Sequence, residues 1–489
     1  MPISSIRAIP PPIRAIPPPP KGERGLLGLA ASCLSLARLH EMFIMNYFPF
    51  GKAALSILAL TVLSGLWLAA HPAPHQTTTL VYWTFAKPHY DAYKKALPAF
   101  EVAHPGVTVD LELVSNSALA SRLQAALLAN LDVPDLCEVE ISQAGSLFRG
   151  PQKDIGFSDL TDRLHQTGLY DQMVQARFSP YTSRGRIYGL PHDVHPVQIA
   201  YRRDLFEKLG IDASKLKTWD DFIAVGRRVT IPGQRYMVQF SDADAGLGLE
   251  IGLFQRGGGY FDPTGNCTLD SETAVQAMHW YVPLVAGPHP IGKDIGGVSG
   301  QFLTQAVENG YLLCLICPDW RTKGIENDMP RLSGKMALMD LPAVTPGGPR
   351  TSTWGGTMVG ITKHCKNQEL AWDLARYFYT DPTQLADRFR DLGIIAPFKG
   401  AWGQPVFNEP HPYWSGQKIG ARYIALAPQV PYQYTSPAIV TAKGKFSEAM
   451  VSCIQYYDAH GEDGFEPFIR ARLKRSADEV RALLRRDPY

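Results

Sequence analysis

The chain has 489 residues, room for about two to four domains, with 48 Lys plus Arg against 46 Asp plus Glu and a formal charge of +2. That near-balance excludes a nucleic-acid binder working through a global basic excess. A content of 45% hydrophobic and 19% charged residues excludes a chain disordered throughout, and seven cysteines are too sparse for a disulfide-built scaffold.

Residues 1–44 form a leader containing a tandem repeat, Ile6–Pro12 and Ile13–Pro19, each reading IRAIPPP. Proline triplets favour extended, solvated backbone and offer no core. Two readings stand: a proline-rich ligand for a partner domain, or a disordered leader upstream of a truer start at Met42 or Met45. Residues 45–76 have the order of an export signal. Lys52 precedes Ala53–Ala70, eighteen uncharged residues that end in Leu68-Ala69-Ala70, a passable cleavage site. The run is also just long enough to span a bilayer, so an uncleaved anchor is the alternative. No later segment is long and apolar enough to cross a membrane, and the working protein is expected to be soluble and to begin near Thr77.

Thr78–Phe85, rich in β-branched and aromatic residues, predicts a strand. Tyr90–His104 has helical spacing and stops at His104-Pro105-Gly106, Val107–Val114 alternates as a strand, and Leu119–Asn130 is an amphipathic helix leading through Pro134-Asp135 to a third short strand. This alternation is the signature of a mostly parallel sheet with helices on its faces. Val197–Tyr201 predicts another strand. Asp204–Leu209 and Trp219–Val229 predict helices, the second capped by Thr218. Gly257–Gly259 marks a loop, Ser271–Val285 a helix, Tyr311–Cys317 and Lys335–Leu341 strands, Met358–Thr362 a strand, and Gln368–Tyr379 a helix. The C-terminal stretch is mainly helical and ends in the charged Arg470–Arg486.

Several phrases, in this order, are similar to one family. Leu80–Phe85 followed by Tyr90–Gly106 resembles the opening of the family 1 extracellular solute-binding proteins of ABC importers. Leu119–Leu136 resembles that family's helix followed by a Pro-Asp pair. Ile187–Phe206 (IYGLPHDVHPVQIAYRRDLF) resembles its crossover segment, Lys217–Phe222 its next helix start, and Gly355–Tyr379 its return strand and helix. The resemblance covers about Thr77 to the C-terminus. It implies an α/β, type II periplasmic-binding-protein-like fold similar to maltose-binding protein, with two α/β lobes, a hinge and an interlobe ligand cleft. Lobe 1 would hold 77–191 and 343–395, and lobe 2 would hold 197–341 and 396–489. Tyr201-Arg202-Arg203-Asp204 departs from the usual Tyr-Asn-Lys-Asp phrase, the crossover carboxylate Asp193 is offset towards its start, and no lipidation cysteine follows the apolar run.

A sugar site needs flat aromatic surfaces and polar groups that both donate and accept. Trp83, Trp320 and Trp354 each lie at or beyond a predicted strand end, in segments that the resemblance turns towards the cleft. Each reads either as a ligand platform or as a buried structural indole. Trp219 and Trp372 lie within helices and are assigned to packing. Asp135 and Glu138 could accept hydroxyl protons, although Asp135 could equally cap a turn. Asp193 and His195 lie in the crossing between lobes; Asp193 leans towards ligand contact, and His195, beside Pro196, towards a structural role. Gly355 and Gly356 would let backbone amides approach a ligand closely.

Cys314 and Cys317 form a CLIC sequence in an apolar strand, where they point to opposite faces, so a buried pair of small hydrophobes outweighs a redox or zinc site. There is no HExxH, GxSxG or GxxxxGK[ST]. No catalytic residue, metal or cofactor is assigned. The expectation is a monomeric periplasmic or extracytoplasmic receptor that binds a carbohydrate and delivers it to the permease of an ABC importer, without binding nucleic acid. A secreted carbohydrate-active enzyme and a same-fold receptor for a non-sugar solute are the alternatives.

Overall fold

The structure is a computed structural model that describes residues 51–70 and 78–486, excepting the side chains of 51, 52 and 68–70. The proline-rich leader, both alternative starts, Thr77 and the side chains of the cleavage site lie outside the described residues. The chain divides into two units, Met1–Gln76 and Thr77–Tyr489. In the first, Gly51–Ala70 is a 20-residue helix. Among the described residues, no helix is long and apolar enough to cross a membrane.

Among its described residues, the second unit contains twelve strands: β1 (Thr78–Thr84), β2 (Val107–Leu113), β3 (Leu136–Glu140), β4 (Thr182–Ser183), β5 (Arg186–Ile187), β6 (Leu190–Pro191), β7 (Val197–Arg202), β8 (Tyr236–Gln239), β9 (Gly292–Lys293), β10 (Leu312–Pro318), β11 (Met336–Asp340) and β12 (Thr357–Ile361). They form two five-stranded sheets, β2-β1-β3-β12-β6 and β11-β7-β10-β8-β9, and β4 pairs with β5 in a small hairpin. In the first sheet β1 runs parallel to β2 and β3, while β12 is antiparallel to β3 and β6. In the second, β7 is antiparallel to β10 and β11, while β8 runs parallel to β10 and β9. Parallel neighbours need crossovers, and helices supply them.

Local chemistry explains the main elements. All seven residues of β10 (LLCLICP) are buried, as a strand covered on both faces requires. Its two thiols separate as period two demands: Cys314 joins one core and Cys317 another. Both are free, and burial pushes the Cys317 thiol up to about 12. Helix Trp219–Val229 starts with a capping box, Thr218 with Asp221. Helix Lys87–Ala103 starts earlier than its apolar spacing predicts, because Pro88 is accommodated in its first turn.

Some elements carry too weak a pattern to be read from the sequence. β8, β9 and the helix Asp319–Asp328 are of this kind, whereas helices Gln301–Glu308 and Pro382–Leu392 are amphipathic, and Asp381, Pro382 and Gly393 mark the ends of Pro382–Leu392. The last bears on the expected boundary at residue 395. Its Ala386 and Phe389 pack into the core of the second sheet with Leu315 and Trp414, while its Asp391 pairs at 2.8 Å with Lys95 of helix Lys87–Ala103. The C-terminal helices Ile439–His460 and Phe465–Arg486 pack on the second sheet's other core.

Candidate functional site

β1 and β3 are parallel neighbours, so the residues following them emerge at one edge of the first sheet, where open α/β sheets place their ligands. Phe85, Ala86, Pro88 and His89 follow β1, and Glu140 closes β3. They form one wall of a cavity of about 560 Å³. The opposite wall comes from the second sheet's side: Trp320 and Arg321 at the start of helix Asp319–Asp328, that helix on to Met329, and Val298, Ser299 and Leu303. His195 and Gly355–Thr357, from two chain crossings, close the floor, with Asp391, Leu392 and Ile394 beside them. The volume falls within the range of about 300–1,000 Å³ usual for small-ligand clefts.

Trp320 is partly buried and lines the cavity. Its Nε1 donates to the Trp354 carbonyl at 3.0 Å, and the two indoles lie 5.4 Å apart at 57°. Trp354 is not a lining residue. It stands behind Trp320, against the core of the second sheet, with the Arg321 guanidinium 5.8 Å over its ring. Gly355 has φ 87°, a left-handed conformation that favours glycine. At Gly356 a Cβ would come within 2.3 Å of Arg177 Nη2 and 2.9 Å of the Tyr181 hydroxyl, so only glycine fits.

Beneath the floor lies a buried charged cluster. Arg177 is fully buried and donates to five acceptors: the Asp193 carbonyl (3.0 Å) and Oδ1 (3.2 Å), Thr353 Oγ1 (3.0 Å), Gln433 Oε1 (3.2 Å) and the Gly355 carbonyl (3.0 Å). These acceptors belong to three separate segments passing between the sheets. His195 bridges Asp193 Oδ2, 3.1 Å from Nε2, and Asp319 Oδ1, 2.6 Å from Nδ1. Burial opposes its charge, yet the two carboxylates prevail and hold the imidazole up at about 9. Burial likewise opposes ionisation of Asp193, and His195 and His192 hold its carboxyl well below the usual range. His195 also has φ 54°, an uncommon backbone for a non-glycine residue.

The remaining sequence candidates stand away from the cavity surface. Trp83 is 1% exposed, in a core beneath the Arg122 guanidinium, which sits 3.9 Å from its ring. Asp135 lies before β3, at the far end from the cavity, where its Oδ2 accepts from the Val81 amide at 2.9 Å. Glu138 is fully buried. It accepts from Thr84 Oγ1 (2.5 Å), His89 Nδ1 (3.1 Å), the Tyr379 hydroxyl (2.7 Å) and the Tyr93 hydroxyl. Burial disfavours its charge, but His89 outweighs burial and holds the carboxyl well below its ordinary value. Asp193 is fully buried by its partners. The cavity therefore brings His195, Trp320, Gly355 and Gly356 together at its surface and leaves Trp83, Asp135, Glu138, Asp193 and Trp354 behind it.

Sequence reasoning missed Phe85, His89, Glu140, Arg177 and Asp319. For two of them a signal existed: Phe85 and Glu140 lie two residues beyond Trp83 and Glu138, in the same alternation, Phe85 just past the end of β1 and Glu140 at the end of β3. Trp219 and Trp372 are 3% and 4% exposed within their helices.

Two α/β halves, each on its own sheet, joined by chain crossings under a shared cavity, define the type II periplasmic-binding-protein class. The sequence model of the bacterial extracellular solute-binding proteins matches residues 86–385, more than half of the chain, and the chain belongs to that family. The arabinooligosaccharide-binding protein of Halalkalibacterium halodurans is 27% identical over 350 residues, 69% of this chain and 75% of its own length. The lactose-binding protein of Rhizobium radiobacter is 22% identical over 346 residues, 69% of this chain and 79% of its own length. A crystal structure described as extracellular solute-binding protein family 1 superposes with a TM-score of 0.68 at 21% identity, over 82% of this chain and 99% of that one.

Proposed function

We propose that the protein is the extracytoplasmic receptor of an ABC importer, and that it binds a carbohydrate in the cavity between its two halves and delivers it to a membrane permease. The observation that carries this reading is the cavity itself, walled from both sheets, with Trp320 presenting an indole and Gly355 and Gly356 opening the backbone beside it. An indole face suits the apolar C–H face of a pyranose or furanose ring. Glu140 and the glycine amides supply polar groups for its hydroxyls, while His195, with both ring nitrogens held by Asp193 and Asp319, shapes the floor. Trp354 supports Trp320 from behind, and Asp193 positions His195. Trp83, Asp135 and Glu138 brace the wall.

Lobe 1 comprises 77–191 and 343–395, and lobe 2 comprises 197–341 and 396–489, with helix Pro382–Leu392 shared in its packing. Ligand contacts from both lobes stabilise the closed form by their differential free energy. The receptor acts as a monomer, without catalysis or cofactor. The named relatives bind arabino-oligosaccharides and lactose, so pentose and hexose oligosaccharides come first. The test is calorimetric titration with these sugars while the mixture is followed for products. Saturable binding without turnover is expected; hydrolysis would replace the receptor reading with the enzyme one.

A further inference from the structure

One cluster in the first half touches the sugar cavity only through His89. His89, Glu138 and His192 are buried, and each offers one ligand atom, all within 4.8 Å of one another. They come from three elements: the first turn of helix Lys87–Ala103, β3, and the residue after β6. We propose that this cluster is a binding site for a divalent transition cation of the zinc class, held by two imidazoles and one carboxylate.

The strongest indication is His192. Its Nδ1 lies 3.1 Å from Asp193 Oδ2, a hydrogen bond that places the ring proton on Nδ1 and leaves a lone pair on Nε2. That Nε2 is fully buried and has no hydrogen-bond partner. A carboxylate fixing one imidazole nitrogen while the other is left without a partner is the outer arrangement of histidine–metal centres. The His89 ring lies 4.2 Å from that of His192. His89 Nδ1 and Glu138 Oε2 are 3.1 Å apart, close to the edge of about 3.3 Å implied by tetrahedral bonds of about 2.0–2.1 Å. On binding, the cation takes the place of the proton between those two atoms, and His89 carries its proton on Nε2 instead. Thr84 and Tyr379 stay bonded to the Glu138 carboxylate and orient it. Two imidazoles and a carboxylate suit zinc and leave a fourth position open. His89 also lines the cavity, so the cluster borders a path from solvent.

The test uses the untagged full chain, stripped with EDTA. It is titrated with zinc chloride by calorimetry, and with cobalt(II) followed by visible absorption. One equivalent of zinc, a raised thermal midpoint and a tetrahedral cobalt spectrum are expected. His89→Gln and His192→Gln are expected to weaken binding at least about tenfold, with the metal-free circular dichroism unchanged. The absence of saturable one-to-one binding, or binding that both variants retain, overturns the proposal. Should His192→Gln fail to fold, His89→Gln alone decides. No sugar enters the experiment, so its failure is separate from that of the receptor reading.

Discussion

Two buried polar clusters lie a few residues apart, and they are built differently. Around Glu138, one carboxylate is met by three hydroxyls and an imidazole, all from the first half. Around Arg177, Asp193, His195 and Asp319, full charges face one another, and their partners come from segments that pass between the halves. The first cluster stiffens a wall. The second ties together the crossings on which any relative motion of the halves depends. Buried charge is costly unless every partner is present. Its placement at the crossings means that their mutual position is held by an arrangement that fails as a whole when one member is lost.

The largest expected effect is at Arg177. Arg177→Met leaves the Asp193 and Gly355 acceptors without their donor and is expected to lower stability by about 3–5 kcal/mol, read as a shift of the urea midpoint at constant slope. Glu138→Gln is expected to cost less, about 1–3 kcal/mol, and to leave sugar affinity in EDTA unchanged; a loss of affinity would bring Glu138 back to the ligand. Trp320→Ala should weaken sugar binding by at least about tenfold with the thermal midpoint nearly unchanged, and Trp354→Ala by less, since that indole acts through Trp320. Equal losses would place both rings against the ligand.

The pH dependence separates the clusters further. The ordinary histidine value of about 6.5 is raised to about 9 at His195. The folded state therefore holds a proton that the unfolded chain has lost between those values. The stabilisation is fully present below about pH 6.5 and disappears as pH rises through 9. Denaturation measured from pH 6 to 10 should show this fall, and His195→Asn should flatten it. The smallest effect is expected at Trp83→Phe, a loss of about 0.5–1.5 kcal/mol from the contact with Arg122 and no change in sugar affinity.

Much of the fold is legible in the sequence because period and length coincide there: β1, β2 and β10 are strongly patterned, and helix Trp219–Val229 announces its cap with Thr218 and Asp221. Short strands such as β8 and β9 present too few positions for a period to show. The site was half legible. Indoles beyond strand ends led to Trp320, and paired glycines led to the floor. At β1 and β3 the most conspicuous residues, Trp83 and Glu138, lie within the strands and face interior packing, while the cavity is lined by Phe85 and Glu140 one pleat further on. Arg177 had no local signal at all. Its importance comes from acceptors 16 to 256 positions away in the chain, which only the folded arrangement brings together.

Helix Pro382–Leu392 serves two masters. Its Phe389 is anchored among apolar side chains of one half, whereas its hold on the other includes the ion pair of Asp391 with Lys95, whose side chains are 40% and 65% exposed. An exposed ion pair yields to salt and thermal motion far sooner than an aromatic ring leaves its socket. The rest of its hold on that half is buried: Arg388 donates to the Phe378 and His192 carbonyls and faces the Tyr93 and Tyr379 rings, so salt that dissolves the outer pair leaves the helix pinned to both halves like a rivet through two plates.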